Sequence, residues 1–303
     1  MADLSLILLT LVWGTTFTLV KRVLDLGTSP AVFLVLRFGL ATAAIGAIWL
    51  WRRTRVTPGL FRDGTLLGLS MFAGFALQTY GLRDTTPARS GFITGLSVVG
   101  VPLIARFLYR RRVSASAWTG VALAVVGLYL LTRPFGGDAT ARVRFGDLLT
   151  LGCALAYAFQ ITWASEFSRR HSLLPLTAIQ IAVTFAGALL LLPLEPMALV
   201  PSGELLGTVL FTALAMTVGA FFVMNWAQRR TSAVRAALIY ALEPPAAAVF
   251  SHLVTGEVLP PMGIAGGAVI LLAVVVAEVG GALAARRQRP AHLRHHHREQ
   301  DDG

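Results

Sequence analysis

The chain of 303 residues is 55% apolar and only 14% charged, with a mean hydropathy of +0.70. Soluble domains carry about 25% charged residues, and so few charges cannot cover this much apolar surface. An ordinary soluble enzyme, a disordered chain and a secreted disulfide scaffold are therefore excluded, the last also because Cys153 is the single cysteine. The net charge of +11 comes from arginine with one lysine, Lys21. It gathers in short segments between apolar runs, a pattern that orients membrane proteins rather than one that meets nucleic acid. The composition implies the lipid bilayer as solvent.

In chain order, ten apolar stretches are long enough to cross about 30 Å of hydrocarbon as helices. They cover approximately residues 4–20, 30–51, 64–82, 86–108, 115–132, 146–166, 174–193, 205–227, 232–254 and 262–284. They are continuously apolar, without the alternation of barrel strands, and their connections are short. The chain is thus expected to be an all-α integral membrane protein of ten transmembrane helices. The first stretch has no basic segment before it, unlike a secretory leader, so it is expected to be retained. With the N-terminus cytoplasmic, the inner connections carry Arg52, Arg53, Arg55, Arg62, Arg110, Arg111, Arg112, Arg169, Arg170, Arg229 and Arg230, and the tail adds five more arginines. The outer ones carry Lys21, Arg22, Arg83, Arg133, Arg142 and Arg144, so that 16 basic residues stand against 6. That bias predicts both termini on the cytoplasmic side of a cell membrane, and the composition suggests a bacterial inner membrane. The basic tail, 285–303, is expected to be disordered and drawn to anionic headgroups. Its His295-His296-His297 run is read as solvated, and no metal or cofactor is expected.

Residues 71–128 align with 217–274 at a constant shift of 146. The alignment pairs Phe75 with Phe221, Arg83 with Arg229, Thr85 with Thr231, Arg89 with Arg235, Ile93 with Ile239, Leu96 with Leu242 and Gly120 with Gly266. The first and sixth stretches also align, placing Trp13 on Tyr157 and Thr16 on Gln160. A unit of five spans is odd, so the second copy enters the membrane inverted. Two inverted copies can exchange roles in opening to either side. The other reading is an old duplication retained for packing.

Glu243 lies midway along the ninth stretch, where a carboxylate costs about 2.5–3.5 kcal/mol to insert, so it is expected to face protein or water. Pro244-Pro245 cannot donate backbone hydrogen bonds, and a break at this depth is tolerated only against protein or a cavity. Glu243 is read either as a cavity residue that contacts a solute or carries a proton, or as an acid tied to the break or to an arginine. Arg37, inside the second stretch, offers a planar fork for a carboxylate or snorkels to the outer surface. Arg89 and Arg235 begin matched stretches on opposite membrane sides, as paired gate residues or as snorkelling cations. Trp13 and Thr16 are three apart and share a helix face. Tyr157 and Gln160 repeat the pair, with Trp163 three residues on. Rings with polar tips suit a pocket for an amphipathic metabolite, and interhelical packing is the alternative. Gln78, Thr94, Asn225 and Tyr240 complete the candidate cavity residues, whereas Tyr80 and Trp226 read as an interfacial belt. The pairs Gly64/Gly68, Gly91/Gly95 and Gly263/Gly267 permit close helix approach within a monomer.

Several motifs resemble those of the EamA-type members of the drug/metabolite transporter superfamily. The first stretch reads Trp13-Gly14-Thr15-Thr16-Phe17, and the second reads Ser29-Pro30 and then Leu36-Arg37-Phe38. The fourth runs from Gly95 to Pro102, and the ninth reads Thr231-Ser232-Ala233, then Leu242-Glu243-Pro244, then Gly256-Glu257. Two departures stand out: Arg110-Arg111-Arg112 occupies the place of the Gly-Glu that many members carry and that the second half keeps, and Ser97 stands opposite Glu243. The resemblance implies two EamA-like five-helix repeats, 1–134 and 144–284, and a secondary transporter exporting an amino acid, related metabolite or drug-like compound by alternating access. Its partners would be that solute, the bilayer and a proton. No Walker A pattern occurs, so a gradient rather than ATP would drive it. The alternatives from other classes are an integral membrane transferase acting on lipid or sugar, and a non-transporting membrane partner. An enzyme finds little support: no aspartate sits deep in a stretch, His171 and His252 lie near stretch ends, and no paired-acid motif appears.

Overall fold

Backbone polar groups in hydrocarbon must be satisfied within their own segment, which selects helices. The computed structural model describes residues 1–85, 87–132, 144–255 and 261–288, and every element among them is helical. Helices α1 (Ala2–Trp13) and α2 (Thr16–Asp25) form the first span, followed by α3 (Pro30–Arg52) and α4 (Leu60–Asp84). Then come α5 (Pro87–Gly95), α6 (Ser97–Tyr109), α7 (Ala115–Thr132), α8 (Phe145–Phe167) and α9 (Leu173–Leu189). Next, α10 (Gly203–Leu210) and α11 (Ala220–Gln228) are joined by a π-helical segment, Phe211–Gly219. The last three are α12 (Ala233–Tyr240), α13 (Glu243–Thr255) and α14 (Pro261–Gln288). Eight continuous helical runs are long and apolar enough to cross a membrane, and Ala115–Leu131 and Pro261–Ala277 are shorter apolar helices.

The polarity of the bundle is that of a body solvated by lipid. Leu50, Trp51, Phe107 and Leu190 are each at least 73% exposed, whereas Arg37, Gln160, Gln180 and Asn225 are buried. Helices in lipid gain little from hiding leucine, so close packing and interior hydrogen bonds hold them together. The closest seam joins α7 to α14. A Cβ on Gly266 would meet the Gly127 carbonyl at 2.6 Å and the Leu131 amide, so the two backbones touch where glycine leaves room. Gly64 and Gly68 let α4 lie on Ile179 and Val183 of α9, which is packing within the chain. Gly91, by contrast, faces open space.

Three spans are interrupted at mid-depth. The first breaks at Gly14-Thr15, where the Thr15 and Thr16 hydroxyls donate to the Val12 and Trp13 carbonyls at 2.8 Å each. The fourth breaks at Leu96, between α5 and α6, and the ninth at Ala241-Leu242, between α12 and α13. At the ninth, Pro244 and Pro245 fall in the first turn of α13, where a missing N–H costs nothing. The break therefore precedes the prolines, and Glu243 opens α13. Leu96 and Leu242 are a matched pair of the sequence repeat, so these two breaks share one register.

Polar contacts tie the bundle at its two ends. At the N-terminal end, Asp3 bridges Arg235 at 2.8 Å and Arg111 bridges Glu166 at 2.8 Å. Buried Asp63 and His171 meet at 2.9 Å, and His171 Nδ1 lies 2.6 Å from the Thr57 hydroxyl. At the opposite end, Glu195 accepts from the Ala31 amide, the Tyr80 hydroxyl and Arg83, at 2.8, 2.8 and 3.2 Å.

Candidate functional site

The interrupted helices converge on one central cavity of about 70 Å³. Gly14 is what brings two breaks together: a Cβ there would meet the Ala247 amide at 2.7 Å and the Glu243 carbonyl at 2.9 Å. The first span thus presses against the start of α13, and Trp13 and Thr16 flank the contact. Both line the cavity, but from two helices across a break rather than from one continuous face. From the other elements the cavity receives Arg37, Gln78, Thr94, Tyr157, Gln160, Tyr240 and Glu243.

Aromatic rings form most of its wall. Tyr240 lies 5.7 Å from Trp13, Trp13 lies 5.6 Å from Phe221, Phe221 lies 6.0 Å from Phe75, and Phe75 lies 5.7 Å from Tyr157. The Arg37 guanidinium sits 4.4 Å over the Phe75 ring and 5.3 Å from that of Phe38, a stacked cation held by ring faces. Its Nε donates to the Thr217 hydroxyl at 3.0 Å, which in turn donates to the Thr212 carbonyl at 2.7 Å. Thr217 belongs to the π-helical segment, as does Met216, whose carbonyl accepts from the Trp13 indole at 3.3 Å. A widened turn re-aims one hydroxyl and frees one carbonyl toward the site, the usual place for such segments.

The charges are the notable feature. Arg37 is 3% exposed, yet it makes no salt bridge among the described residues. The Glu243 carboxylate is partly open to the cavity and has neither an ion pair nor a hydrogen bond among the described residues. A buried charge without a counter-charge is costly. Two more groups are left unpaired in the lining: Gln160 Nε2 and the Tyr240 hydroxyl are buried without a partner. Gln78 Nε2 reaches the Thr94 hydroxyl at 3.4 Å. The first turns of α6 and α13 also border the cavity, at Ser97 and Glu243, and helix N-termini carry partial positive charge. The Arg37 cation, the Glu243 carboxyl group and two unpartnered polar groups thus border a space walled by rings, an arrangement that can hold a small molecule bearing both charges.

Other expected residues fall elsewhere. Trp163 does not line the cavity; it stacks on Phe159 and Phe167 of its own helix at 5.2 and 6.3 Å. Asn225 is fully buried, and its amide donates to Thr177 at 2.9 Å and Gln180 at 3.4 Å of α9. Arg235 is engaged by Asp3, and the Arg89 side chain lies outside the described residues, as do the histidine run and Glu257. Tyr80 serves as a donor to Glu195, while Trp226 takes Arg230 over its ring at 4.4 Å. The sequence reading missed Phe75 and Phe221, although their repeat pairing was a signal. It also missed Ser97, Gly91, Gly95 and Met224 in the lining. Among the described residues no group of three or more His, Cys, Asp or Glu side chains is arranged to hold a metal.

Comparisons with known proteins agree with this architecture. The chain matches the EamA-like transporter family over residues 1–133 and 144–278. An uncharacterized transporter of Archaeoglobus fulgidus is 35% identical over 265 residues, covering 86% of this chain and 80% of the relative. A probable terminal-alkyne amino-acid exporter of Streptantibioticus cattleyicolor is 26% identical, with 87% and 89% of the two chains covered. A solved crystal structure, 20% identical, superposes with a TM-score of 0.74 over 95% of this chain and 99% of its own, a likeness of fold.

Proposed function

Since the chain belongs to the EamA-like transporter family, we propose that this multi-pass membrane protein is a secondary transporter of a small zwitterionic solute, with amino acids the first class to test. The observation that carries the reading is the placement of Arg37 and Glu243, each without a counter-charge among the described residues, on one ring-walled cavity. In this proposal the solute's carboxylate takes the Arg37 fork and its ammonium takes Glu243. Tyr240 and Gln160 supply the remaining hydrogen bonds. The name of the Streptantibioticus relative supports both the solute class and the outward direction.

The proposed layout is ten membrane helices in two inverted repeats, 1–134 and 144–284, with both termini cytoplasmic. The shared register of the breaks at Leu96 and Leu242 supports the repeat, and the arginine bias supports the orientation. Alternating access follows if the two halves exchange roles. The polar ties at the two ends, Asp3–Arg235 and Arg83–Glu195, are the proposed inner and outer closures. The central cavity is small, about 70 Å³, and in this proposal one end opens to admit the solute.

Glu243 is also the proposed proton carrier. Purified protein in proteoliposomes should take up labelled amino acid, faster under a proton gradient, with Glu243→Gln abolishing the proton dependence but not folding. Amino-acid binding without flux would overturn transport, and undiminished coupling in Glu243→Gln would overturn the proton role.

A further inference from the structure

A second cavity, of about 600 Å³, lies at the N-terminal end of the bundle and shares no lining residue with the central one. It is enclosed by the end of α6, the connection after it, the start of α7, the last turns of α8 and the first turns of α12. Four arginines border it, Arg111, Arg112, Arg169 and Arg235, against one acid, Glu166. Arg111 neutralises Glu166, and Asp3 neutralises Arg235. Among the described residues Arg169 donates only to the Thr231 carbonyl, at 3.0 Å, and Arg112 has no acidic partner. Among the described residues the cavity therefore holds a surplus of two positive charges. Ser165, 4% exposed, borders the cavity, and its hydroxyl has no hydrogen-bond partner among the described residues. The first turn of α12 borders the same space at Ala233 and Val234, adding amides that have no partner within their own helix and the positive end of its dipole.

We propose that this cavity binds a phosphate-class oxyanion, presented as the headgroup of an anionic phospholipid or as free phosphate. Arginine forks, a hydroxyl and a helix N-terminus are the donor set that oxygen-rich anions take. The volume exceeds what inorganic phosphate needs and fits a headgroup with its glycerol. Phe107 and Leu108, 78% and 53% exposed beside Tyr109 of the lining, offer apolar surface for the acyl chains. The arginine run is particular to this half of the chain: at the shift of 146 its counterparts are Gly256 and Glu257. The site does not depend on solute transport, and its test reads binding alone.

Full-length protein in detergent is mixed with phosphatidylglycerol, with phosphatidylcholine, or with inorganic phosphate, and retained ligand is counted by native mass spectrometry alongside Tm. Phosphatidylglycerol should be retained over phosphatidylcholine and raise Tm. Arg112→Gln, which breaks no hydrogen bond or ion pair among the described residues, should weaken retention about fivefold to tenfold, and Ser165→Ala should weaken it further with the fold unchanged. Binding of phosphate but not of phosphatidylglycerol assigns the site to a free anion. Equal retention of both lipids with no response to phosphate, or full retention by Arg112→Gln and Arg169→Gln together, would overturn the proposal.

Discussion

Replacing Arg37 with methionine should separate binding from stability, because the two respond with opposite signs. Among the described residues the guanidinium makes one hydrogen bond, to Thr217, and one close ring contact, to Phe75 at 4.4 Å. Those contribute about 1.5–3 kcal/mol and about 0.5–2 kcal/mol. Against them stands the desolvation of a buried cation without a counter-charge, several kcal/mol by itself. Methionine keeps the volume, and Thr217 keeps its bond to the Thr212 carbonyl. The folded protein should therefore be as stable as before or more so. Solute affinity should fall by about 2–5 kcal/mol, the loss expected on truncating one partner of a buried charged pair, which is about thirtyfold to several thousandfold in Kd. Thermal unfolding in detergent reads the first quantity, and calorimetric titration with the transported amino acid reads the second. A variant that unfolds many degrees lower, yet binds solute as wild type does, would show that Arg37 is a structural cation and refute the reasoning.

Four further outcomes are expected. Gly266→Leu should cost about 1–3 kcal/mol or more, seen as a large fall in Tm, because its side chain would strike the backbone of Leu131 and Gly127. Asp63→Ala should cost about 1–3 kcal/mol by removing the carboxylate that buried His171 and Arg62 both contact, and His171→Ala should add little to it in a double mutant, as chemical denaturation would show. Trp13→Phe should cost about 0.5–1.5 kcal/mol, since the Met216 carbonyl loses its indole donor. Gly14→Val should lower Tm far more than Gly91→Ala, since a Cβ on Gly14 meets backbone of α13 and one on Gly91 meets open space.

The helical stretches were legible because spanning hydrocarbon demands long apolar runs, and the central residues because a polar group at mid-depth is costly enough to need a reason. That logic reached Arg37, Gln160 and Glu243. It could not separate Gln160 from Asn225, for both are polar at similar depth. Only the fold shows that Asn225 lies outside the cavity lining, its Nδ2 donating to Thr177 and Gln180 of α9, while Gln160 lines the cavity with Nε2 unpartnered. Helical spacing likewise placed Trp163 beside Gln160, but its ring finds Phe159 and Phe167 instead. Phe75 and Phe221 were overlooked because phenylalanine is ordinary in an apolar run. The π-helical turn left no residue signature, and the Asp63–His171 pair joins positions 108 apart in sequence, a contact that no local pattern announces.

The central claim is that one cavity serves both sides of the membrane in turn. Counterflow tests it most directly. Proteoliposomes preloaded with unlabelled amino acid are diluted into a trace of the labelled form, with no other gradient. Label should accumulate transiently above its outside concentration, and Arg37→Met should abolish that overshoot. Simple equilibration of label without overshoot, or an overshoot that Arg37→Met leaves intact, would contradict it.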